Sequence, residues 1–318
     1  MTGAPLSMME LATELMSCGA NVSAVVLSKK GGLMQELIRK KIKVIDDKAV
    51  HSFKAAMKAD LVIAGSAVCS SWIEQYIEYF PSGASKVVWW IMENRREYFD
   101  RSKDVLNKVK MLVFLSESQS KKWQKWYEEE NRRLRFQPAI VPLSVNDELA
   151  FAAGIHSSSA SNKINEKRKF LRETVRKELG LNDNDMLVIS LSSINPGKAT
   201  THVASLYSAA DVYVINSQGS GETFGRVTIE AMAFGLPVLG TDGGGTKEIV
   251  EHNVTGLHHP IGRKGNHILA QNLRFLLENQ FEREKMGMNG RKKVQRMYLK
   301  QHMYSKFVKV LVRCMRRK

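Results

Sequence analysis

Cysteine is scarce in this chain: Cys18, Cys69 and Cys314 are all that 318 residues hold. Three thiols so far apart make neither a disulfide framework nor a zinc site, and buried thiols are the simplest reading. No apolar run approaches the ~20 residues of a membrane span. The opening Met1-Thr-Gly-Ala-Pro-Leu-Ser-Met-Met-Glu10 lacks the basic start and apolar core of a secretory leader, so the chain as written reads as cytoplasmic. No internal repeat is present, and the two Asn-Xaa-Ser/Thr triplets, at Asn21 and Asn253, read as chance.

What is present describes a globular protein, with 43% hydrophobic and 25% charged residues and enough length for two domains. The formal charge of +16 is unevenly placed, because residues 281–318 hold thirteen Lys/Arg against two Asp/Glu. Met297, Tyr298, Phe307, Val308, Leu311 and Val312 run through that segment at helical spacing, which predicts a basic amphipathic helix. Packing against the rest of the protein is its first reading, and a peripheral contact with an anionic membrane the second. A nucleic-acid partner is not expected, since no nucleic-acid motif accompanies the charge.

Short runs rich in Val, Ile and Leu at Val22–Leu27, Ile42–Ile45, Leu61–Ala64, Val87–Ile91, Met111–Leu115 and Ala139–Leu143 lack clean alternation, as strands buried on both faces should. Helical patterns at Leu6–Ser17, Leu33–Lys41, Trp72–Phe80 and Gln119–Glu130 separate several of them, so residues 1–150 are read as a parallel α/β domain. Residues 151–185 form a polar linker and a charged helix that ends near Leu179-Gly180. From 186 to 318 a second α/β domain is expected, with strands at Met186–Leu191, Val212–Ile215 and Leu236–Leu239 and a helix at His202–Ala210.

The chemistry concentrates between residues 219 and 240. Gly219, Gly221 and Gly225 let the backbone approach a ligand closely, and a helix beginning near Phe224 offers unpaired amides to an anion. Glu222 in the loop and Glu230 two turns into the helix can accept hydrogen bonds from hydroxyls. Phosphate chemistry beside hydroxyl chemistry suits a nucleotide sugar. Lys198, in Asn195-Pro-Gly-Lys198, follows another strand and is placed to neutralise a diphosphate.

At these residues the sequence resembles the C-terminal half of retaining GT-B glycosyltransferases of family 4, most closely their plant members. The likeness rests on Glu222, seven residues, Glu230 and Gly235-Leu-Pro-Val238, and continues through Thr241-Asp-Gly-Gly-Gly-Thr-Lys-Glu-Ile-Val250 and Asn253-Val-Thr-Gly-Leu257. It implies two Rossmann-like domains with parallel sheets. It also implies transfer of a sugar from a nucleoside diphosphate, UDP- or GDP-linked, to the hydroxyl of an unidentified acceptor with retention of configuration. Glu222 and Lys198 would be the catalytic pair. Gly221, Thr223, Phe224, Gly225, Arg226 and Glu230 would complete the donor site. No metal or other cofactor is implied. Gly3 and Ala4 resemble the family's glycine-bearing loop near acceptor and phosphate, and Trp89–Arg96 could line an acceptor cleft or simply end a core strand.

Three departures carry consequences. Met1 stands where the relatives' first strand has already ended, Ser193 occupies the position of an Arg, and Lys198 runs into the His202 helix where relatives insert two further βα units. A shortened chain with a reduced C-terminal domain is expected, and with it an alternative: an inactive isoform that acts by binding. Full-length relatives often sit in Golgi membranes.

Overall fold

The computed structural model describes residues 3–28, 32–46, 50–155, 161–191, 203–219 and 221–315. It divides into two units, Met1–Val141 with Tyr304–Lys318, and Pro142–Met303. The division falls at Val141–Pro142 where a boundary near 150 was expected, and the stretch read as a linker belongs to the second unit.

The first unit runs α1 (Gly3–Ser17), β1 (Ser23–Val26), α2 (Leu33–Arg39), β2 (Lys43–Asp46), α3 (Val50–Lys58), β3 (Val62–Gly65), α4 (Ser70–Tyr79), β4 (Val87–Trp90), α5 (Arg96–Ser102), β5 (Met111–Phe114), α6 (Glu117–Glu129) and β6 (Ala139–Ile140). All pairings are parallel, but the strands form two sheets, β1-β2 and β3-β4-β5-β6. Every residue of β4 and β5 is buried, which is why their sequences show no alternation. On one side Trp89, Phe99, Phe114 and Trp123 form the core, and the Trp89 indole N–H donates to the Ser66 carbonyl at 2.8 Å. The Trp90 ring meets Phe307, 4.9 Å between centroids, in the segment that returns from the C-terminus.

The second unit holds α7 (Asp147–Ala152), α8 (Ser161–Glu178), β7 (Val188–Ile189), α9 (Val203–Ala209), β8 (Val212–Ile215), α10 (Arg226–Ala233), β9 (Val238–Thr241), α11 (Gly244–Ile249), β10 (Gly256–His259), α12 (Arg263–Glu278), α13 (Gln280–Met297) and the first residues of α14 (Lys300–Met315). Its four parallel strands lie in the order β10-β9-β8-β7 over a core of Val212, Leu239, Leu257, Leu276 and Met286. Strand β10 has no counterpart in the sequence reading, because Gly256-Leu-His-His259 carries two histidines where a buried strand is expected to be apolar.

The polar helix α8 is tied down by charge rather than by an apolar stripe. Arg172 Nη2 and Arg176 Nη1 reach the two oxygens of Asp211 at 2.5 and 3.1 Å, just ahead of β8, and the Leu187 amide donates to the same carboxylate at 2.8 Å. Removing one member of such a partly buried set leaves the others desolvated without a partner. Asp211→Ala is therefore expected to cost about 3 kcal/mol or more in urea unfolding, whereas Asp60→Ala in the other unit should cost far less.

Candidate functional site

A parallel sheet presents ligands to the carboxyl ends of its strands. Beyond the end of β8 the chain passes through Asn216, Ser217, Gln218 and Gly219 into the loop 221–225, and beyond β9 it turns through Asp242 and Gly243 into α11. These two connections are packed backbone against backbone. The Gly245 amide donates to the Glu222 carbonyl at 2.7 Å. A Cβ on Gly244 would lie 2.3 Å from the Glu222 oxygen, and one on Gly245 would lie 2.3 Å from the Phe224 oxygen. Only glycine fits at either position, which gives Gly243-Gly-Gly245 its physical meaning.

Helix α10 starts at Arg226, two residues later than the sequence suggested. Gly225 stands at its N-cap with φ 102° and ψ 57°, a left-handed conformation that cannot continue a helix and that side chains rarely adopt. The Gly225 carbonyl accepts from Thr228 and Ile229, so the amides ahead of them have no acceptor within the helix. That end of the helix faces the loop bearing Glu222.

Glu222 is partly buried, and that burial raises its carboxyl above the usual range, against the lowering effect of hydrogen bonds from the Thr223 backbone and the Ser217 hydroxyl. Glu230, one helix turn from the end of α10, receives the Tyr207 hydroxyl at Oε2, 3.3 Å away. Tyr207 is itself fixed by stacking on Phe234 at 5.3 Å, and burial beside Glu230 pushes its phenol far above the normal range. Phe224 is buried and meets Tyr298 edge-on at 6.0 Å. The Arg226 Nε donates to the Ser144 carbonyl at 3.1 Å. Gln218 Oε1 takes the Gly262 amide at 2.8 Å and so links the loop to the end of β10.

The structure thus brings Gly221, Glu222, Thr223, Phe224, Gly225, Arg226 and Glu230 together in one loop–helix unit. Lys198, and Ser193 five positions before it, lie outside the described residues. Gly3 and Ala4 fall in the first turn of α1 rather than in a loop, the Ser7 hydroxyl donating back to the Gly3 carbonyl at 3.0 Å. Trp89 and Trp90 are wholly buried, so neither ring can stack on a ligand. After them, the Glu93 carboxylate accepts from the Ala67 and Met92 amides at 2.7 and 3.1 Å and braces the turn at Ser66, whose φ is 114°. Asp183 and Asp185 precede β7 and so lie at the opposite edge of the sheet from Glu222. Ser217 and Tyr207 escaped the sequence reading. Neither type is distinctive, and only the sheet order places α9 beside α10.

With this geometry in place, comparisons with known proteins are informative. Residues 1–158 match the family model "Glycosyl-transferase family 4" and residues 192–293 match "Glycosyl transferases group 1". The fold is that of Anabaena Alr3699/HepE, solved in complex with UDP, at TM-score 0.74 and 14% identity over 98% of this chain and 96% of that one. It is also that of WaaG, a glycosyltransferase involved in lipopolysaccharide biosynthesis, at TM-score 0.65 and 16% identity over 95% and 94%. The chain belongs to the GT-B glycosyltransferases, and within them is family 4-like. Among curated proteins it is similar to the putative glycosyltransferase YtcC of Bacillus subtilis, 36% identical over 31% of this chain and 24% of that one. It is also similar to a GDP-mannose-dependent alpha-mannosyltransferase of Mycobacterium tuberculosis, 35% identical over 29% and 23%. The chain spans about a quarter of the length of these relatives.

Two outcomes follow for the unliganded protein. Gly245→Ala must push Phe224 aside and is expected to cost about 1–3 kcal/mol in denaturant unfolding. Glu222→Gln keeps the oxygen acceptor but removes a desolvated charge. Because the folded state raises this carboxyl, its penalty is present above the folded-state pKa and vanishes as pH falls below the unfolded value. The variant should therefore melt no lower than the parent at about pH 7, with the difference closing towards about pH 4.

Proposed function

We propose that this chain is a glycosyltransferase that takes a nucleoside-diphosphate sugar, UDP- or GDP-linked, and transfers the sugar to an acceptor hydroxyl with retention of configuration. The donor would lie at the carboxyl edge of the second unit's sheet. Its diphosphate would sit at the N-terminus of α10, where backbone amides and the helix dipole stabilise negative charge as the leaving group departs. Glu222 would hold a sugar hydroxyl, and Glu230 the ribose diol. Lys198 would supply the further cation, and catalysis would need no metal.

The observation that carries this assignment is the partly buried Glu222 carboxylate, held in a glycine loop that is fused through Gly244 and Gly245 to α11 and leads directly into the α10 terminus. A carboxylate withdrawn from water at a helix N-terminus serves hydroxyl and phosphate recognition better than it serves stability. The similarity to a GDP-mannose-dependent enzyme supports the donor class. Likeness to plant family members and shortening of the chain remain part of the proposal.

A second reading, an inactive form that binds a partner, draws on β7. Among the described residues this strand is two residues long and stands at the edge of its sheet, next to the position at which the family resemblance implies further βα units.

Thermal melting with UDP, GDP and their sugars separates the two, because a ligand that binds only the folded state raises the melting temperature. A shift of several degrees with one nucleotide, lost in Glu230→Ala and accompanied by turnover with an acceptor panel, is expected of the enzyme. A cooperative melt that no nucleotide moves would leave only the binding protein.

A further inference from the structure

Helix α14 carries no acidic residue along its sixteen positions, and it is apolar on more of its circumference than the fold covers. Its inner face is fully used: Phe307, Val310 and Cys314 are buried, and the Tyr304 hydroxyl donates to the Glu10 carbonyl at 3.1 Å. Beside that face runs a second stripe, Val308, Val312 and Met315, spaced four and three residues apart and left 49%, 44% and 59% exposed. Lys309 lies beside it and Arg313 and Lys306 lie further round the same side of the helix, and Lys110, ahead of β5, stands with Arg313 close enough to Cys314 to act on its thiol. None of these four cations forms an ion pair among the described residues. The neighbouring helices differ, since α12 and α13 carry Glu278, Glu282 and Glu284 alongside their cations.

We propose that the outer face of α14 docks on an anionic lipid surface, the helix lying in the plane of the interface with Val308, Val312 and Met315 turned into the headgroup region. Charge complementarity selects the partner: uncompensated cations seek an anionic surface, and an exposed apolar stripe beside them is of use only where acyl chains lie below the charge. A nucleic acid would meet the lysines and leave the stripe in water. The long stem of Lys309 can lie along the apolar surface while its head reaches phosphate. The inner face stays engaged with the first unit, so docking needs no unfolding. It would bring the enzyme to a surface, not through it: among the described residues no helix is long and apolar enough to cross a membrane.

The test is co-sedimentation of the purified full chain with vesicles of phosphatidylcholine alone and of phosphatidylcholine with a third phosphatidylglycerol. Binding to the anionic vesicles only is expected, reduced roughly tenfold or more in the Val308→Glu/Val312→Glu variant. Both positions are exposed, and an unchanged melting temperature would confirm that the variant folds. Binding unaffected by that substitution, or equalled by binding to duplex DNA at the same salt concentration, would show a mere polyanion contact and overturn the proposal. Absence of vesicle binding, or assembly of the chain with itself through this stripe, would overturn it equally.

Discussion

The contact of two glycines with a loop backbone governs the second unit. With the Gly245 amide on the Glu222 carbonyl and no Cβ between them, the connection after β8 is held against the connection after β9 at backbone distance. This contact sets where Glu222 points, where Gly225 reverses the chain and where α10 begins. A side chain on Gly244 or Gly245 would drive the two connections apart, and the helix terminus would lose its register with the carboxylate.

Much of the positive charge that looks available for a partner is spent inside the fold. At the amino edge of the second sheet, the helices end on carbonyls that need donors. Arg172 and Arg176 donate to the Ala209 carbonyl at the end of α9, Arg291 to Ala233 and Arg168 to Phe234 at the end of α10, and Arg283 to Leu276 near the end of α12. Burial lowers the Arg291 guanidinium to about 10, with Arg168 nearby adding to the effect. Lys293 is buried against Glu251 at 2.7 Å. The basic character of residues 281–318 is thus two properties: structural capping on α13, and surface charge at Lys306, Lys309 and Arg313 of α14 that no ion pair among the described residues compensates.

The first unit shows how far side-chain type constrains a site. Tandem tryptophans beside a run of Glu, Asn and Arg invite a binding interpretation, yet the buried position of β4 takes both rings into packing. The charges after it are consumed in a knot in which Arg96 reaches Asp100, Glu129 and Glu130. That outcome follows from parallel-sheet geometry, which buries both faces of a central strand and leaves only its carboxyl end for ligands.

The sequence by itself determined the class of fold and the loop–helix unit that carries the two glutamates. Unalternating apolar runs are the mark of doubly covered strands, and glycines beside two spaced glutamates specify a loop–helix unit through local conformation alone. Strand β10 was hidden because its histidines disguise a buried run, and the onset of α10 shifted because a left-handed Gly225 ends the loop later than propensity suggests. What only the tertiary structure decided is which groups meet from distant positions: Tyr207 on Glu230, Gly245 on Glu222, Asp211 on two arginines of α8, and which face of α14 stays uncovered. Those pairings depend on strand order and on burial, and neither is written in the spacing of residues along the chain.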